Sequence, residues 1–281
     1  MRVMVLGAGG QLGSDLSRLL ARAPGVSLKA FKKQDLDITQ FTNVRFAIET
    51  ARPEVVINAA AFTKVDECER VPDTAMTVNY LAQKHLARVC RDFGALCVYL
   101  STDYVFDGEK GAPYVEDDKP RPLNHYGLSK LWGEVGTRAD ANEGLIVRSS
   151  WLYGPTGENF PKKILARARA HHPLRVVNDQ TGCPSYTPDL AAAIWWLIDH
   201  GALGIFHVTN SGACTWHDFA RAILLQAGLS NPVTPITTDE LNSPARRPRY
   251  SVLDNGKAER LGLPPMRPWF ATLSDLLSTP P

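Results

Sequence analysis

Tyr126 and Lys130 stand four residues apart in the stretch YGLSKL, a spacing that could support acid–base chemistry. Four residues are about one turn of an α-helix, so both side chains would share one face. A tyrosine phenol has a pKa of about 10 in water, and a lysine ammonium beside it would stabilise the phenolate and lower that pKa. Tyr126 is therefore a candidate proton donor with Lys130 as its electrostatic partner. A solvated helical surface is the alternative explanation of the pair.

A glycine-rich loop follows the first apolar run of the chain, residues 3–6, and precedes the helical pattern SDLSRLLARA. Its spacing is G-x-x-G-x-x-G. Glycines permit a tight turn and a close approach of the backbone to a pyrophosphate, which the N-terminus of the next helix would bind. The loop thus predicts a dinucleotide site, although a simple strand-to-helix turn is an alternative. The cofactor-binding residues predicted here are Gly7, Gly10, Gln11, Leu12 and Gly13.

The end of the second predicted strand bears on the choice of dinucleotide. Sites for NAD usually place an acidic residue there to bind the ribose 2′-hydroxyl. This chain has Lys32 and Lys33 instead, in LKAFKKQ. Positive charge favours a 2′-phosphate, so the sequence predicts NADPH, with NADH as a second possibility and solvated lysines as the alternative reading. Asp37 and Ile38, in LDIT, are predicted to border the adenine.

Short apolar runs alternate with helical patterns through the first half of the chain. The strand candidates are residues 3–6, VSLKAF, EVVINAAA, ALCVYLS and GLIVRSS, and a long helix is predicted at TAMTVNYLAQKHLARVCRDFG. This alternation is typical of βαβ units. Continuous apolar strands indicate a parallel sheet that is covered on both faces. The sequence therefore predicts an α/β fold, a Rossmann-type doubly wound parallel sheet.

The pattern loosens after Trp151, and proline and arginine dominate residues 231–250. We predict an NADP-binding Rossmann domain at residues 1–150, completed by part of residues 183–210. Residues 151–281 would mainly form a smaller C-terminal substrate-binding lobe over the carboxyl edge of the sheet.

Composition excludes several classes of function. The net charge of +2 over 281 residues gives no broad basic field for nucleic acid. Five cysteines without a C-x-x-C pair indicate neither a disulfide framework nor a zinc ribbon, and they suit the reducing cytoplasm. The first apolar run is too short for a signal peptide, and no transmembrane run is present, so we expect a cytoplasmic protein without a membrane partner.

Four motifs together resemble the extended short-chain dehydrogenase/reductase family: the glycine loop, NAAAFTKVDECE, LSTDYVFDG and YGLSK. RSSWLYG, NDQTGCPS and ARRPRYSVLD extend the similarity over nearly the whole chain. The resemblance implies hydride transfer from NADPH to C4 of dTDP-4-dehydro-L-rhamnose, which gives dTDP-L-rhamnose in the last step of its synthesis. The alternatives are another sugar-nucleotide reductase or epimerase, and a non-catalytic subunit related to the regulatory partner of methionine adenosyltransferase.

The resemblance also implies roles for the central residues. Tyr126 would donate the proton, and Lys130 would support it and bind the nicotinamide ribose. Thr102, at the end of the ALCVYLS strand, would orient the substrate carbonyl. Asp103 would contact the substrate, with a capping role in the loop as its alternative.

Further positions are implied around this centre. Ala60, Ala61 and Thr63 would line the cofactor, unless they only end a buried strand. Trp151 could pack on the deoxysugar or lie in the core. Arg247 could meet the substrate diphosphate or be a solvated arginine.

No metal site is predicted. His207 and His217 lack further ligands at suitable spacing, so structural roles are favoured. Some members of the resembled group dimerise around a magnesium ion held by glutamates, but this chain has Asp15 and SYTPDL in the corresponding regions. The sequence is consistent with a monomer or a homodimer acting on a small-molecule dTDP-sugar.

Overall fold

The computed structural model describes residues 1–278, which form an α/β fold. The strands are β1 Arg2–Leu6, β2 Ser27–Phe31, β3 Val55–Asn58, β4 Leu96–Thr102, β5 Gly144–Ser149, β6 Leu152–Tyr153, β7 Leu174–Val177, β8 Thr181–Gly182, β9 Ser185–Tyr186, β10 Gly204–His207, β11 Cys214–Thr215 and β12 Val233–Ile236. The helices are α1 Gln11–Leu20, α2 Phe41–Ala51, α3 Val65–Arg70, α4 Pro72–Met76, α5 Ala82–Asp92, α6 His125–Asp140, α7 Phe160–Arg169, α8 Thr187–Asp199, α9 Trp216–Gln226, α10 Thr238–Leu241, α11 Gly256–Leu261 and α12 Trp269–Ser278. A π-helical turn at Thr77–Leu81 joins α4 to α5, and a 3-10 turn at Asp103–Val105 follows β4.

Six parallel strands form the central sheet in the order β2-β1-β3-β4-β5-β10. This confirms the predicted Rossmann-type architecture. The chain passes from β1 outward to β2 and then returns to β3 on the other side of β1. The strand order reverses there, and ligands of such sheets bind at the carboxyl ends of the strands beside this reversal.

Helices cover both faces of the sheet, as continuous apolar strands require. On one face, α1 and α8 pack together, with Leu16 and Ile194 fully buried. On the other face, α2 and α5 contribute Ile48 and Leu86. Every residue of β3 is buried. The sheet is thus a rigid support for the loops at its carboxyl edge.

The C-terminal part of the chain has a second hydrophobic cluster, built from α7, α9 and α12 around Phe219 and Leu273. Strand β10 nevertheless lies in the central sheet, where Gly204 pairs with Leu145 of β5. Both observations support our proposal that the first domain ends near residue 150 and is completed by part of residues 183–210. Residues 279–281, the end of the proposed lobe, lie outside the described part.

Three segments differ in detail from the sequence prediction. The predicted long helix begins at Pro72 and contains the π-helical turn, which inserts one extra residue per turn where α6 packs against it. The proline-rich residues 231–250 include β12, which pairs with β7, and α10. Helix α12 was not predicted either. Contacts with distant residues, rather than local pattern, stabilise these elements.

Candidate active site

The glycine loop is closely packed at the reversal of the sheet. Gly7 has a φ of +78°, and a β-carbon there would come within 2.5 Å of the backbone nitrogen of Ala60. A β-carbon on Gly13 would lie 2.2 Å from the carbonyl oxygen of Gly7. Only glycine fits either position. Gly10 then precedes the first turn of α1, whose free backbone N–H groups can bind an anion.

A cavity of about 500 Å³ opens beside this loop. Its lining brings together the loop, the segment after β2 and the segment after β3. The predicted cofactor residues in the lining are Gly7, Gly10, Lys32, Asp37, Ile38, Ala60 and Ala61. This convergence of three sequence segments is what a dinucleotide site at the reversal requires.

Besides Tyr126 and Lys130, which were also predicted to bind the cofactor, four predicted cofactor residues lie outside that lining. Gly13 acts through packing. The Leu12 side chain is 5% exposed and belongs to the core, so that only its backbone could face a ligand. Gln11 accepts a hydrogen bond from Asn159 at 3.3 Å, and Thr63 is exposed. Their contact with a cofactor stays a prediction.

The two lysines after β2 differ in their surroundings. The Lys32 side chain lies over Gly9, where a β-carbon would be 3.4 Å from its Cγ. Lys33 is 86% exposed and stands 3.9 Å from the Asp37 carboxylate. Burial would raise the pKa of Asp37, but hydrogen bonds from Thr39 and the charge of Lys33 outweigh it and lower the pKa. Lys32 and Lys33 both line the cavity wall. In the described structure Lys33 has a carboxylate partner within 4.0 Å, and Lys32 has none.

Helix α6 carries the Tyr126–Lys130 pair. Its N-terminus is capped by Asn124, which accepts from the Gly127 N–H at 2.8 Å and donates to the Arg246 carbonyl at 2.7 Å. Lys130 is only 2% exposed. Its ammonium donates to the carbonyl oxygen of Leu100 at 2.5 Å and lies 4.1 Å from the centre of the Tyr99 ring. Lys130 is therefore a buried, fixed cation, and the solvated-surface alternative does not describe it.

Burial dominates the ionisation of both residues. It lowers the pKa of Lys130 to about 7, although the charge of Glu134 opposes the shift. Burial also raises the pKa of Tyr126 well above its usual value, against a smaller opposing effect of the Thr102 hydroxyl. From the sequence, Lys130 was expected to lower the pKa of Tyr126, whereas the net shift of that pKa in the structure is upward. Tyr126 is consequently protonated at neutral pH, as a proton donor must be.

Thr102 ends β4 and begins the 3-10 turn. Its hydroxyl donates to Oδ1 of Asp103 at 3.0 Å and accepts from the Tyr104 N–H at 3.2 Å. Asp103 is 2% exposed, and its Oδ2 accepts from the Ser251 hydroxyl at 2.5 Å. Burial raises the pKa of Asp103 to about 7, despite hydrogen bonds from Ser251 and Thr102 that lower it. Asp103 therefore links Thr102 to the C-terminal part of the chain.

One buried residue beside the site, Asn79, was not predicted from the sequence. Asn79, in the π-helical turn, is 1% exposed. Its side chain accepts from the Phe62 N–H at 2.8 Å and donates to the Ser129 hydroxyl at 2.9 Å. It thereby ties the segment after β3 to helix α6. Nothing in the local stretch VNYL distinguishes this asparagine from a surface residue.

The two outer predicted residues are less free than their sequence context indicates. The indole of Trp151 stacks on Trp216, with ring centres 3.6 Å apart, and Gly182 also lies against it. Arg247 pairs with Asp66 at 2.9 Å and donates to the Ala245 carbonyl at 3.1 Å. Arg247 is thus not a solvated arginine.

The remaining candidate groups have local partners. His207 is buried and contacts the Tyr114 carbonyl through Nδ1 at 3.0 Å, and Nε2 of His217 lies 3.2 Å from the Val233 carbonyl. Within residues 1–278, no group of three or more His, Cys, Asp or Glu is placed to hold a metal ion. None of the described helices combines the length and apolar character needed to cross a membrane.

A glycine loop at the reversal of a parallel sheet, with a threonine, a tyrosine and a lysine at its carboxyl edge, defines a Rossmann-fold oxidoreductase of the short-chain dehydrogenase/reductase type. Residues 1–280 match the family described as the RmlD substrate binding domain, and the chain belongs to that family. This confirms the family resemblance seen in the sequence.

Named relatives match over almost their full lengths. A dTDP-4-dehydrorhamnose reductase of Streptomyces griseus is 42% identical, with 98% of this chain and 92% of the relative covered. A dTDP-4-keto-6-deoxy-D-glucose reductase of Streptomyces niveus is 40% identical, with 97% and 95% covered. The crystal structure of the dTDP-4-dehydrorhamnose reductase of Bacillus anthracis in complex with NADP has a TM-score of 0.95 and 37% identity, with 98% of each chain covered.

Proposed function

We propose that this protein reduces the C4 carbonyl of dTDP-4-dehydro-L-rhamnose to give dTDP-L-rhamnose, with NADPH as the reductant. The observation that carries the proposal is the placement of Thr102, Tyr126 and buried Lys130 at the carboxyl edge of the sheet. The similarity to the Streptomyces griseus and Bacillus anthracis reductases supports the same substrate and cofactor.

The cavity at the glycine loop fits a dinucleotide. Gly7 and Gly13 allow the tight turn between β1 and α1, and the free backbone N–H groups at the N-terminus of α1 can bind a pyrophosphate. Lys32 would bind a ribose 2′-phosphate, since an unpaired cation in the wall favours it over a hydroxyl. When bound, the dinucleotide supplies the hydride.

The protein's own groups would manage the proton and the carbonyl. Tyr126, kept protonated by burial, donates its phenolic proton to the carbonyl oxygen as negative charge develops there. The Lys130 ammonium stabilises the phenolate that remains. The Thr102 hydroxyl orients the same carbonyl oxygen, for which it must turn its proton away from Asp103.

A second cavity of about 500 Å³ in the C-terminal lobe is a suitable place for the nucleoside diphosphate. Phe160 and Trp216 supply apolar wall on which a base can pack. Trp216 also stacks on Trp151, so we assign Trp151 to supporting this wall. Guanidinium and ammonium groups suit phosphate oxygens. The cations in the lining are Lys163, Arg167, Arg175 and Arg247.

The test is a direct assay of NADPH oxidation by the purified protein with dTDP-4-dehydro-L-rhamnose, run beside NADH and beside dTDP-4-keto-6-deoxy-D-glucose. The second sugar is the comparison substrate because the Streptomyces niveus relative is named as its reductase. We expect the highest kcat/KM for the dehydrorhamnose with NADPH. A higher value with the other sugar would assign the protein to that substrate. No turnover of either sugar would contradict the proposal.

We further propose a cytoplasmic monomer or homodimer. Cys68, Cys90, Cys97, Cys183 and Cys214 are all free and buried, which suits a reducing compartment. Sedimentation of the purified protein would distinguish a monomer from a homodimer.

A further inference from the structure

A buried ion pair lies one helical turn beyond Lys130. Glu134 and Arg148 are each 1% exposed. Oε1 of Glu134 accepts from Nε of Arg148 at 2.9 Å, and its Oε2 accepts from Nη2 at 2.7 Å. Oε1 also accepts from the Ser101 hydroxyl at 2.5 Å. Removing two charges from water is costly, and pairs of this kind are often no better for stability than apolar residues of similar volume. Stability alone therefore does not account for the Glu134–Arg148 pair.

Strand β4 links this pair to the site. Leu100 accepts the hydrogen bond of Lys130 through its carbonyl, and the next residue, Ser101, donates to Glu134. Lys130 and Glu134 are four residues apart on α6 and share one face of it. Two consecutive strand residues thus fix two side chains from consecutive helical turns.

Arg148 is held on the far side of Glu134. It lies opposite Ser101 in the register of β4 with β5. Its Nη1 is 3.3 Å from Nε2 of His207, whose Nδ1 is 3.0 Å from the Tyr114 carbonyl. A carbonyl only accepts, so Nδ1 carries the hydrogen and Nε2 accepts from Arg148. Burial and the nearby Arg148 charge lower the pKa of His207 to about 3, so this histidine stays neutral.

The ionisable groups facing Lys130 can be named. Tyr126 and Glu134 lie on its own helix, Tyr99 lies on β4, and Arg148 stands behind Glu134 on β5. Among these groups of the described structure, Glu134 brings negative charge to the ammonium, since both tyrosines are neutral with raised pKa values. Burial of Lys130 favours loss of its proton, and Glu134 opposes that loss.

We infer that Glu134, fixed by Arg148 and Ser101, is a positioning residue that keeps the buried Lys130 ammonium charged during reduction. The inference rests on the proposed function. Glu134 would not touch substrate or cofactor; it acts through Lys130. Without it, Lys130 would lose its proton at lower pH, and the alkaline limit of activity would move down.

The first experiment compares pH profiles of kcat for the wild type and Glu134→Gln. Residues four apart on a helix have Cβ atoms about 5–6 Å apart, and an opposite charge within about 4–6 Å typically shifts a pKa by about one unit or more. We therefore expect the alkaline limb to move down by about one pH unit, and kcat at pH 8 to fall roughly tenfold relative to kcat at pH 6. An unchanged limb in a folded variant would overturn the inference.

The matched control is Asp140→Asn. Asp140 is also a buried carboxylate on α6, and it pairs with Arg88 at 3.0 Å. It lies ten residues beyond Lys130, about 15 Å along the helix. We expect its pH profile to match the wild type. A shift equal to that of Glu134→Gln would show a general effect of helix stability and would also overturn the inference.

Glu134→Gln leaves Arg148 without a counter-ion and could unfold the protein. The double variant Glu134→Leu/Arg148→Met removes both charges and keeps the volume filled, which is often neutral for stability. It should still shift the limb downward, but by less than Glu134→Gln does, because the positive charge of Arg148 is removed together with the nearer negative charge of Glu134. If this folded variant keeps the wild-type limb, Glu134 does not support Lys130.

A second measurement needs neither substrate nor turnover. NMR of protein labelled at the lysine 13Cε follows the Lys130 signal, which is assigned by its loss in Lys130→Met. We expect it to titrate at a lower pH in the double variant than in the wild type, by less than the roughly one unit expected for Glu134→Gln. Equal titration would overturn the inference. If the wild type reduces no dTDP-ketosugar, the proposed function is contradicted. The NMR titration would still test whether Glu134 raises the pKa of Lys130.

Discussion

Arg247 in the C-terminal lobe forms an ion pair with Asp66 on helix α3, with 2.9 Å between Nη2 and Oδ2. The same carboxylate accepts from the Ser243 hydroxyl at 2.6 Å and from the Ala245 N–H at 3.2 Å. Burial would raise the pKa of Asp66, but these donors outweigh it and lower the pKa. Asp66 of helix α3 thus anchors residues 243–247, a few residues before Ser251, which contacts Asp103.

Replacing this anchor should weaken substrate binding. Asp66→Ala removes the acceptor for three donors, so residues 243–247 lose their fixed position at the site. We expect the KM for the ketosugar to rise about tenfold while the Kd for NADPH stays near the wild-type value. The control is Glu54→Ala, which breaks an exposed pair with Arg2. Equal KM values for Asp66→Ala and the wild type would show that the anchor does not shape the substrate site.

Tyr126→Phe should remove the proton donor and little else. The ring is half-buried and packs edge-on against Tyr104, with 5.9 Å between ring centres, and phenylalanine preserves that packing. General acid catalysis typically contributes ~10²–10⁴-fold, so kcat should fall by that factor with NADPH binding retained. Stopped-flow measurement of a single turnover isolates the chemical step. A kcat near that of the wild type would refute the role of Tyr126.

The two lysines after β2 form a matched pair for cofactor preference. Both lysines are exposed and line the cavity, but Lys32 lies over Gly9, whereas Lys33 stands 3.9 Å from the Asp37 carboxylate. We expect Lys32→Ala to raise the KM for NADPH about fivefold with no change for NADH, and Lys33→Ala to have a smaller effect. High salt should reduce the difference, since exposed pairs are screened. Equal effects of Lys32→Ala on both cofactors would rule out a 2′-phosphate contact.

Lys130 should make the stability of the free protein depend on pH. Its pKa falls from the ordinary lysine value of 10.5 to about 7 in the fold. Below about pH 7 both states are protonated, and the fold bears the full cost of a buried charge. Between these values the unfolded chain binds more protons, so the unfolding free energy rises with pH. Lys130→Met should therefore stabilise by about 2 kcal/mol at pH 6 and by less at pH 9. Urea unfolding at both pH values measures this; a gain independent of pH would contradict it.

The local parts of the fold and site were predictable from the sequence. The strand–glycine loop–helix unit depends on neighbouring residues, and so does the Tyr126–Lys130 spacing. The burial of Lys130 was not predictable, because it depends on packing against β4. For the same reason, the lowered pKa predicted for Tyr126 was wrong in direction, because burial raises it.

Contacts between distant residues account for the rest. Asp103 meets Ser251, and Asp66 meets Arg247, over separations that no local pattern encodes. The π-helical turn that places Asn79 against Phe62 and Ser129 also lies within an ordinary amphipathic pattern. Such contacts follow from the topology once the sheet has brought the segments together.

The position of β10 has a consequence for synthesis on the ribosome. Strand β10 covers the edge of β5 in the folded protein. Residues 150–203 lie between the two strands in the sequence, so the ribosome must synthesise them before β10. At about 5–20 residues per second, the nascent chain presents β5 as an open edge for several seconds. Open strand edges are templates for aggregation, so nascent chains that end before residue 204 should engage chaperones more strongly than chains that extend past it.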